Sequence, residues 1–303
     1  MNALLLIDKP DGLTSAEVVR RVKRRLTVKV GHLGTLDPFA TGLLPLCLGE
    51  ATKIAQFLNT ADKRYEGVIR LGWSTNTGDR TGERLRQAPV PSLAAAALAA
   101  VAAGLTGEHL QQPPMYSAIK RDGVPLYRLA RRGVEVEREA RPVRIASLQL
   151  EAIADDRLRC VVACSKGTYI RVLAEDIGRA LGTEAHLDSL RRTGFGRFSI
   201  EQAVPLDGWE PDRGAGLVGL REALADVPTV VLDGEAVAAV RQGKAWVLGR
   251  IGPQTDNTVL LVEATGELAA VAVRAGDAWA YARVLVAPSP LLDSSTVVIR
   301  TAK

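Results

Sequence analysis

The chain has 303 residues, of which 47% are apolar, 24% charged and 4% aromatic; this is material for two packed domains and excludes disordered, collagen-like and low-complexity classes. Its longest nearly apolar stretch, residues 93–105, falls short of the roughly 18 that span a bilayer, and the N-terminus lacks the basic segment of a signal peptide, so a cytoplasmic protein with no membrane partner is expected. The net charge of +5 is uneven: residues 1–200 carry 30 Lys and Arg against 21 Asp and Glu, residues 201–303 carry 9 against 13, and the basic excess is the footprint of a protein that meets phosphate backbones.

Residues 3–7 form an apolar run that ends in Asp8-Lys9-Pro10-Asp11-Gly12, which predicts a strand and a turn. Thr14 and Ser15 can cap a helix carried by Val18, Val19, Val22 and Leu26, with Arg20, Arg21, Lys23, Arg24 and Arg25 on its other faces. Residues 31–49 gather Gly31, Gly34, Gly42 and Gly49 with Pro38 and Pro45 and read as one long shaped loop, the kind of segment that carries chemistry on a rigid scaffold. Residues 64–71 alternate as a strand, residues 74–82 read as a polar turn region, and the Ala-rich stretch that follows reads as a helix capped by Ser92. Residues 112–144, with Pro113-Pro114, Asp122-Gly123 and Gly133 among many arginines, predict a basic, partly mobile excursion.

Strands are then expected at 143–150 and 158–164, and a helix at 170–181 closed by Gly182. Residues 207–219 read as a boundary and 220–224 as a short connecting helix. Short β-branched runs at 227–232, 259–262, 268–273 and 279–286 predict a compact all-β module.

Cys47, Cys160 and Cys164 are an odd set without a CxxC pair and read as reduced; the spacing of the last two places them on one strand face. His32, His109 and His186 lie far apart, so no metal site is expected. Residues 214–219 spell GxGxxG, yet they follow a Pro- and Asp-rich stretch instead of a strand, which argues against nucleotide binding. Asp37 stands beside a proline that restricts its backbone, in a loop whose glycines let a bulky ligand approach. A lone Asp in a turn is more often a cap, so its neighbours must decide.

Those neighbours resemble the TruB family of bacterial pseudouridine synthases. The resemblance is carried by Gly31-His32-Leu33-Gly34-Thr35-Leu36-Asp37-Pro38, Ala40-Thr41-Gly42-Leu43-Leu44-Pro45, Gly49-Glu50-Ala51-Thr52-Lys53 and Asp62-Lys63-Arg64-Tyr65. It continues through Gln112-Pro113-Pro114-Met115-Tyr116-Ser117-Ala118, Lys166-Gly167-Thr168-Tyr169-Ile170-Arg171 and Leu190-Arg191-Arg192-Thr193, in the family's order over residues 3–225. Leu33 departs from the Gly or Thr common there.

The resemblance implies an α+β catalytic domain over residues 1–225, with a central, mainly antiparallel sheet flanked by helices, and a PUA-like RNA-binding module over residues 226–303. It implies that Asp37 is the catalytic aspartate, Arg171 its partner and Tyr65 the active-site tyrosine. Leu190 would line the uracil pocket, His32 would contact the RNA loop, and Tyr169 and Lys53 would support the site. Residues 112–144 would be a mobile thumb that closes on RNA, with Lys120, Arg121, Arg131 and Arg132 as its contacts. The implied reaction converts uridine 55 in the T-loop of tRNA to pseudouridine, by a monomer without cofactor, metal or obligate protein partner.

The chemistry suits these residue types. A carboxylate can add to the ribose or the uracil ring, or stabilise a developing oxocarbenium ion. An arginine offers it a planar fork of donors. A tyrosine beside the ring can serve as base or as stacking surface once the proton on C5 must leave. A relative with another uridine target, a guide-RNA-dependent relative, and an RNA-binding folding factor are the alternatives.

Overall fold

The computed structural model describes residues 1–59, 61–121 and 123–286. The first apolar run forms β1 (Ala3–Lys9), buried along most of its length inside the main sheet. Thr14 caps α1 (Ser15–Arg24) reciprocally: its hydroxyl accepts from the Glu17 amide at 3.1 Å, and the Glu17 carboxylate accepts from the Thr14 amide at 2.8 Å. Val18 and Val22 bury one face of this helix.

The segment expected to be one long loop is about half strand: β2 (Val30–His32) and β3 (Thr41–Leu48) leave residues 33–40 and Gly49 outside the strands. The apolar run 43–48 is buried throughout, and that burial overrides the turn signals of Gly42 and Pro45. Next come α2 (Ala51–Leu58) and β4 (Lys63–Leu71), whose alternate residues bury as the pattern predicts. The polar run is bracketed by β5 (Trp73–Thr75) and β6 (Arg84–Gln87). Helix α3 (Ala95–Gly104) begins later than expected, with Ala94, not Ser92, at its N-cap and no side-chain cap bond; alanine is the best helix former and needs little help to start.

After β7 (Gly107–Gln111), the basic excursion holds a small hairpin, β8 (Lys120–Arg121) with β9 (Val124–Pro125), and one helical turn, α4 (Leu126–Ala130). Asp122 of the predicted Asp122-Gly123 turn lies outside the described residues. The long hairpin β10 (Arg141–Ala154) and β11 (Arg157–Cys164) follows, with Cys160 and Cys164 both buried. Helix α5 (Ile170–Ala180) is closed by Gly182 at φ +76°. Then come β12 (Ala185–Phe195), β13 (Phe198–Ser199), β14 (Val204–Pro205), β15 (Leu217–Gly219) and α6 (Leu220–Ala223).

Eleven of these strands form one sheet with the path β14-β1-β3-β12-β4-β11-β10-β7, to which β2, β13 and β15 add at β3, β12 and β1. Its pairings are antiparallel except β1 with β14 and β12 with β3, so the central sheet is mainly antiparallel. The stretch expected to be a boundary instead packs onto this sheet: Trp209 and Val218 are buried, and the GxGxxG run turns into β15 at the sheet edge. Gly216, at φ +73°, accepts from the Leu6 amide at 2.8 Å, a structural junction and not a phosphate loop.

The C-terminal part is built on a four-stranded sheet, β16 (Thr229–Leu232), β17 (Thr258–Glu263), β18 (Leu268–Ala275) and β19 (Ala278–Val284). It is not all-β. Asp233 accepts from the Ala236 amide at 2.8 Å and caps α7 (Gly234–Arg241), and a 3-10 segment spans Ala245–Arg250. Ala236, Val237 and Val240 supply the apolar face that the sheet needs covered. Residues 287–303 of the predicted module lie outside the described residues. Among the described residues no helix is long and apolar enough to cross a membrane.

Gly42 sits at φ +98°, and a Cβ there would meet the Arg192 carbonyl oxygen at 2.3 Å. Gly42→Ala therefore costs about 2 kcal/mol or more, measured as a fall of several degrees in Tm.

Candidate active site

The irregular stretch 33–40 is pinned from three sides. The Ser15 hydroxyl donates to the Leu36 carbonyl at 3.1 Å and accepts from the Leu36 amide at 2.9 Å. The fully buried Lys9 ammonium donates to the carbonyls of Pro10, Leu13 and Pro38 at 2.9, 2.6 and 3.0 Å, and burial pulls its pKa down to about 8. Arg192 donates through Nη2 to Gly34 at 2.9 Å and through Nε to Leu43 at 2.7 Å. Asp37 is thus presented on a stretch with little freedom left.

Arg171 is the second residue of α5, and the helix start is itself fixed: Gln111 accepts from the Tyr169 amide at 2.7 Å and donates to the Tyr169 carbonyl at 3.2 Å. The Arg171 side chain is buried. Nε donates to Asp37 Oδ2 at 2.9 Å and Nη2 to Oδ1 at 3.3 Å, a forked pair. Its remaining donors reach the Thr77 carbonyl at 2.8 Å and the Tyr116 carbonyl at 2.7 Å, and Asp79 Oδ2 stands 3.8 Å from Nε. The side chain of Arg171 is 4% exposed and that of Asp37 35%, so the cation lies behind and the anion faces outward.

What the anion faces is a cavity of about 680 Å³ lined by Asp37, Tyr65, Tyr169, Arg171, Leu190 and Arg192, among others. Tyr65 and Arg192 are direct partners across β4 and β12, and Gly67 is opposite Leu190, so one register delivers three lining side chains. Burial pushes the Tyr65 phenol up, although Arg192 beside it acts in the other direction. Tyr169 is likewise raised by burial, and Ser117, at the foot of the basic excursion, lines the same cavity. Lys63, also lining the cavity, is pulled down to about 8 by burial, with the Arg192 charge next in weight.

The remaining expected residues lie elsewhere. His32 is on β2, outside the cavity lining; its Nδ1 is buried without a hydrogen-bond partner, and burial followed by the Arg192 charge lowers its pKa. Lys53 does not line this cavity: it projects from α2 to Glu50 at 2.6 Å and to the Val284 carbonyl at 3.3 Å, tying α2 to the C-terminal part. Lys120 and Arg121 are exposed on the small hairpin, and Arg131 and Arg132 are exposed beyond α4.

Sequence reasoning missed Asp79, Lys63 and Arg192. Asp79 was hidden in a polar run that reads as a turn, where its Oδ1 accepts from Thr77 Oγ1, the Thr81 amide and Thr81 Oγ1 at 2.8, 2.9 and 2.6 Å. Strand alternation could have found Arg192, because it falls on the same face of β12 as Leu190.

A model of the TruB family pseudouridylate synthase N-terminal domain matches residues 20–170, and one of the tRNA pseudouridylate synthase B C-terminal domain matches residues 171–210. A protein of Aromatoleum aromaticum named tRNA pseudouridine synthase B is 50% identical over 80% of either chain. The chain belongs to the TruB family of pseudouridylate synthases. A Burkholderia pseudomallei protein of the same name is 48% identical over 84% of this chain and 86% of its own. Among solved structures, a chain of an H/ACA ribonucleoprotein bound to a substrate RNA containing 2'-deoxyuridine superposes with a TM-score of 0.68 at 25% identity, covering 94% of this chain and 85% of that one. A chain of a Cbf5-Nop10-Gar1 complex gives 0.69 at 27%, covering 93% and 84%. The TruB family C-terminal match falls on α5, β12 and the strands after it, within the main sheet. As a member of this family the chain is an isomerase.

Asp79→Asn removes the second negative charge beside Arg171 while keeping the shape, weakening the hold on the fork. Pseudouridine formation falls roughly ten- to hundredfold in a single-turnover assay, with RNA affinity within about twofold of wild type.

Proposed function

We propose that this protein converts uridine 55 in the T-loop of tRNA to pseudouridine, as a monomeric, cytoplasmic enzyme that needs no cofactor, metal or protein partner. The observation that carries the reading is the Asp37 carboxylate, forked by Arg171 at 2.9 and 3.3 Å and open on its other side to a cavity that also holds Tyr65 and Leu190. Relatives near 50% identity over four fifths of both chains are named tRNA pseudouridine synthase B, which supports tRNA as the substrate.

In this reading Asp37 is the catalytic carboxylate, and Arg171 positions it. The bond from ribose C1′ to uracil N1 breaks, the base turns, and C1′ joins C5; the proton on C5 leaves, and N1 ends protonated, so atoms balance without redox chemistry. Tyr65 stands beside the ring as base or stacking surface, Leu190 packs against its other edge, Tyr169 supports the site, and His32 meets the displaced loop. A stacked base cannot reach Asp37, so the nucleotide is flipped out at a cost of a few kcal/mol, offset by phosphate contacts on the basic surface. Residues 1–225 act as the catalytic domain, with residues 112–144 as a thumb, and residues 226–303 as a PUA-like RNA-binding module.

A guide-dependent mode is the second reading, favoured by the superposition on chains from an H/ACA ribonucleoprotein and a Cbf5-Nop10-Gar1 complex. Tritium release separates the two. Purified protein with unmodified tRNA carrying 5-tritiated uridine releases about one equivalent per tRNA, and release is lost with Asp37→Asn or with a substituted T-loop base. Release that appears only after guide RNA or partner proteins are added overturns the stand-alone reading.

The thumb makes a separate prediction. Changing Lys120, Arg121, Arg131 and Arg132 to Ala weakens tRNA binding and lowers the slope of log affinity against log salt, by about 0.7 to 0.9 for each phosphate that is no longer neutralised, while the single-turnover rate at saturation stays near wild type. Filter binding across a salt series measures the slope.

A further inference from the structure

Among the described residues, Arg192 is the bulkiest side chain that is fully buried, and no carboxylate pairs with it there. A guanidinium held away from water without a counter-charge is costly, so its retention calls for a reason. Two of its donors go to the Gly34 and Leu43 carbonyls, on either side of Asp37 in sequence, and its Cζ stands 5.5 Å from the centre of the Phe195 ring. A neutral amide could serve the carbonyls. The neighbour that can use the charge is the phenol of Tyr65, its direct partner across the β4–β12 pair, with which it lines the Asp37 cavity.

The surroundings agree. Among the charged groups that act on the Tyr65 phenol, Arg192 leads and is the cation, set against Cys164 and Asp37. Gly34 leaves room for it: a Cβ there would stand 3.2 Å from Arg192 Nη1 and 2.9 Å from the Phe195 ring. The backbone of Arg192 also excludes any side chain at Gly42, so the guanidinium is held by the register of three strands.

We propose that Arg192 is a positioning residue for Tyr65: by donating to the phenolic oxygen it orients the ring in the Asp37 cavity and favours negative charge on that oxygen. The same guanidinium ties the Asp37 stretch to β12, so the carboxylate and the tyrosine are set relative to one another by one side chain. The inference rests on reading Tyr65 as the aromatic group beside the reacting base.

The test uses full-length protein labelled with 13C at tyrosine Cζ, which gives five signals, the Tyr65 signal being the one absent from Tyr65→Phe. In Arg192→Lys the Tyr65 signal moves and the other four stay. Single-turnover pseudouridine formation falls roughly tenfold or more while T-arm affinity stays within about twofold, a split that loss of fold does not produce. Tyr65→Phe reports the same contact from the other side without any change at Arg192: the Arg192 guanidinium protons exchange faster with solvent than in wild type. An unmoved Tyr65 signal in Arg192→Lys, or unchanged guanidinium exchange in Tyr65→Phe, overturns the proposal. Full activity of Tyr65→Phe overturns instead the reading of Tyr65 on which it rests, and the two failures are distinct.

Discussion

The arrangement of the whole site depends on where one guanidinium can put its donors. Arg171 is buried, and a buried arginine must spend its fork on acceptors within reach. It finds a carboxylate on the stretch before β3, another on the turn after β5, and two carbonyls, Thr77 and Tyr116, that belong to that turn and to the foot of the basic excursion. Three segments far apart in sequence are therefore held to one planar group. Removing any one of them leaves a donor unsatisfied in a dry interior, so the geometry is enforced by the cost of each unmade bond more than by the strength of each bond made.

The sheet supplies the second constraint. The register of β4 with β12 sets Tyr65 against Arg192 and Gly67 against Leu190, and the glycine matters because a Cβ there would come within 2.6 Å of the Ser189 carbonyl. Parallel pairing of β12 with β3 sets Arg192 opposite Gly42, so the strand that carries the pocket floor also carries the end of the Asp37 stretch. A slip of one residue would turn Leu190 and Arg192 away from the cavity together. Cavity geometry and strand register are thus the same fact.

What could be read in advance follows from how local each signal is. Alternation over residues 64–71 and a cap at Thr14 need only neighbours in sequence, and both were legible. Asp37 stood out because glycines and prolines around it had no other use, yet its pairing with Arg171 spans 134 positions and came from family resemblance, not from spacing. Asp79 and Arg192 went unread for opposite reasons. The first hides among residues that all favour turns, and the second sits beside Arg191, an arginine of the ordinary kind that pairs with Asp8 at the surface. The misread stretch 31–49 shows the reverse error: Gly42 and Pro45 punctuate a run whose burial between neighbouring strands outweighs their local preference.

The displaced role of Lys53 shows how the two parts of the chain bear on one another. Glu50, at the start of α2, accepts from Lys53 at 2.6 Å and from the Val286 amide at 2.8 Å, while Lys53 reaches the Val284 carbonyl at the end of β19. Beneath this clasp, Ile54 and Leu58 share a core with Leu260, Val262 and Leu285. The far end of α2 is Asn59, which lines the Asp37 cavity and whose carbonyl accepts from Lys63 at 3.4 Å. One short helix therefore has the C-terminal part packed along it and the cavity at its end. Beside the RNA binding proposed for residues 226–303, this shared apolar core holds α2, and with it one wall of the cavity, in place.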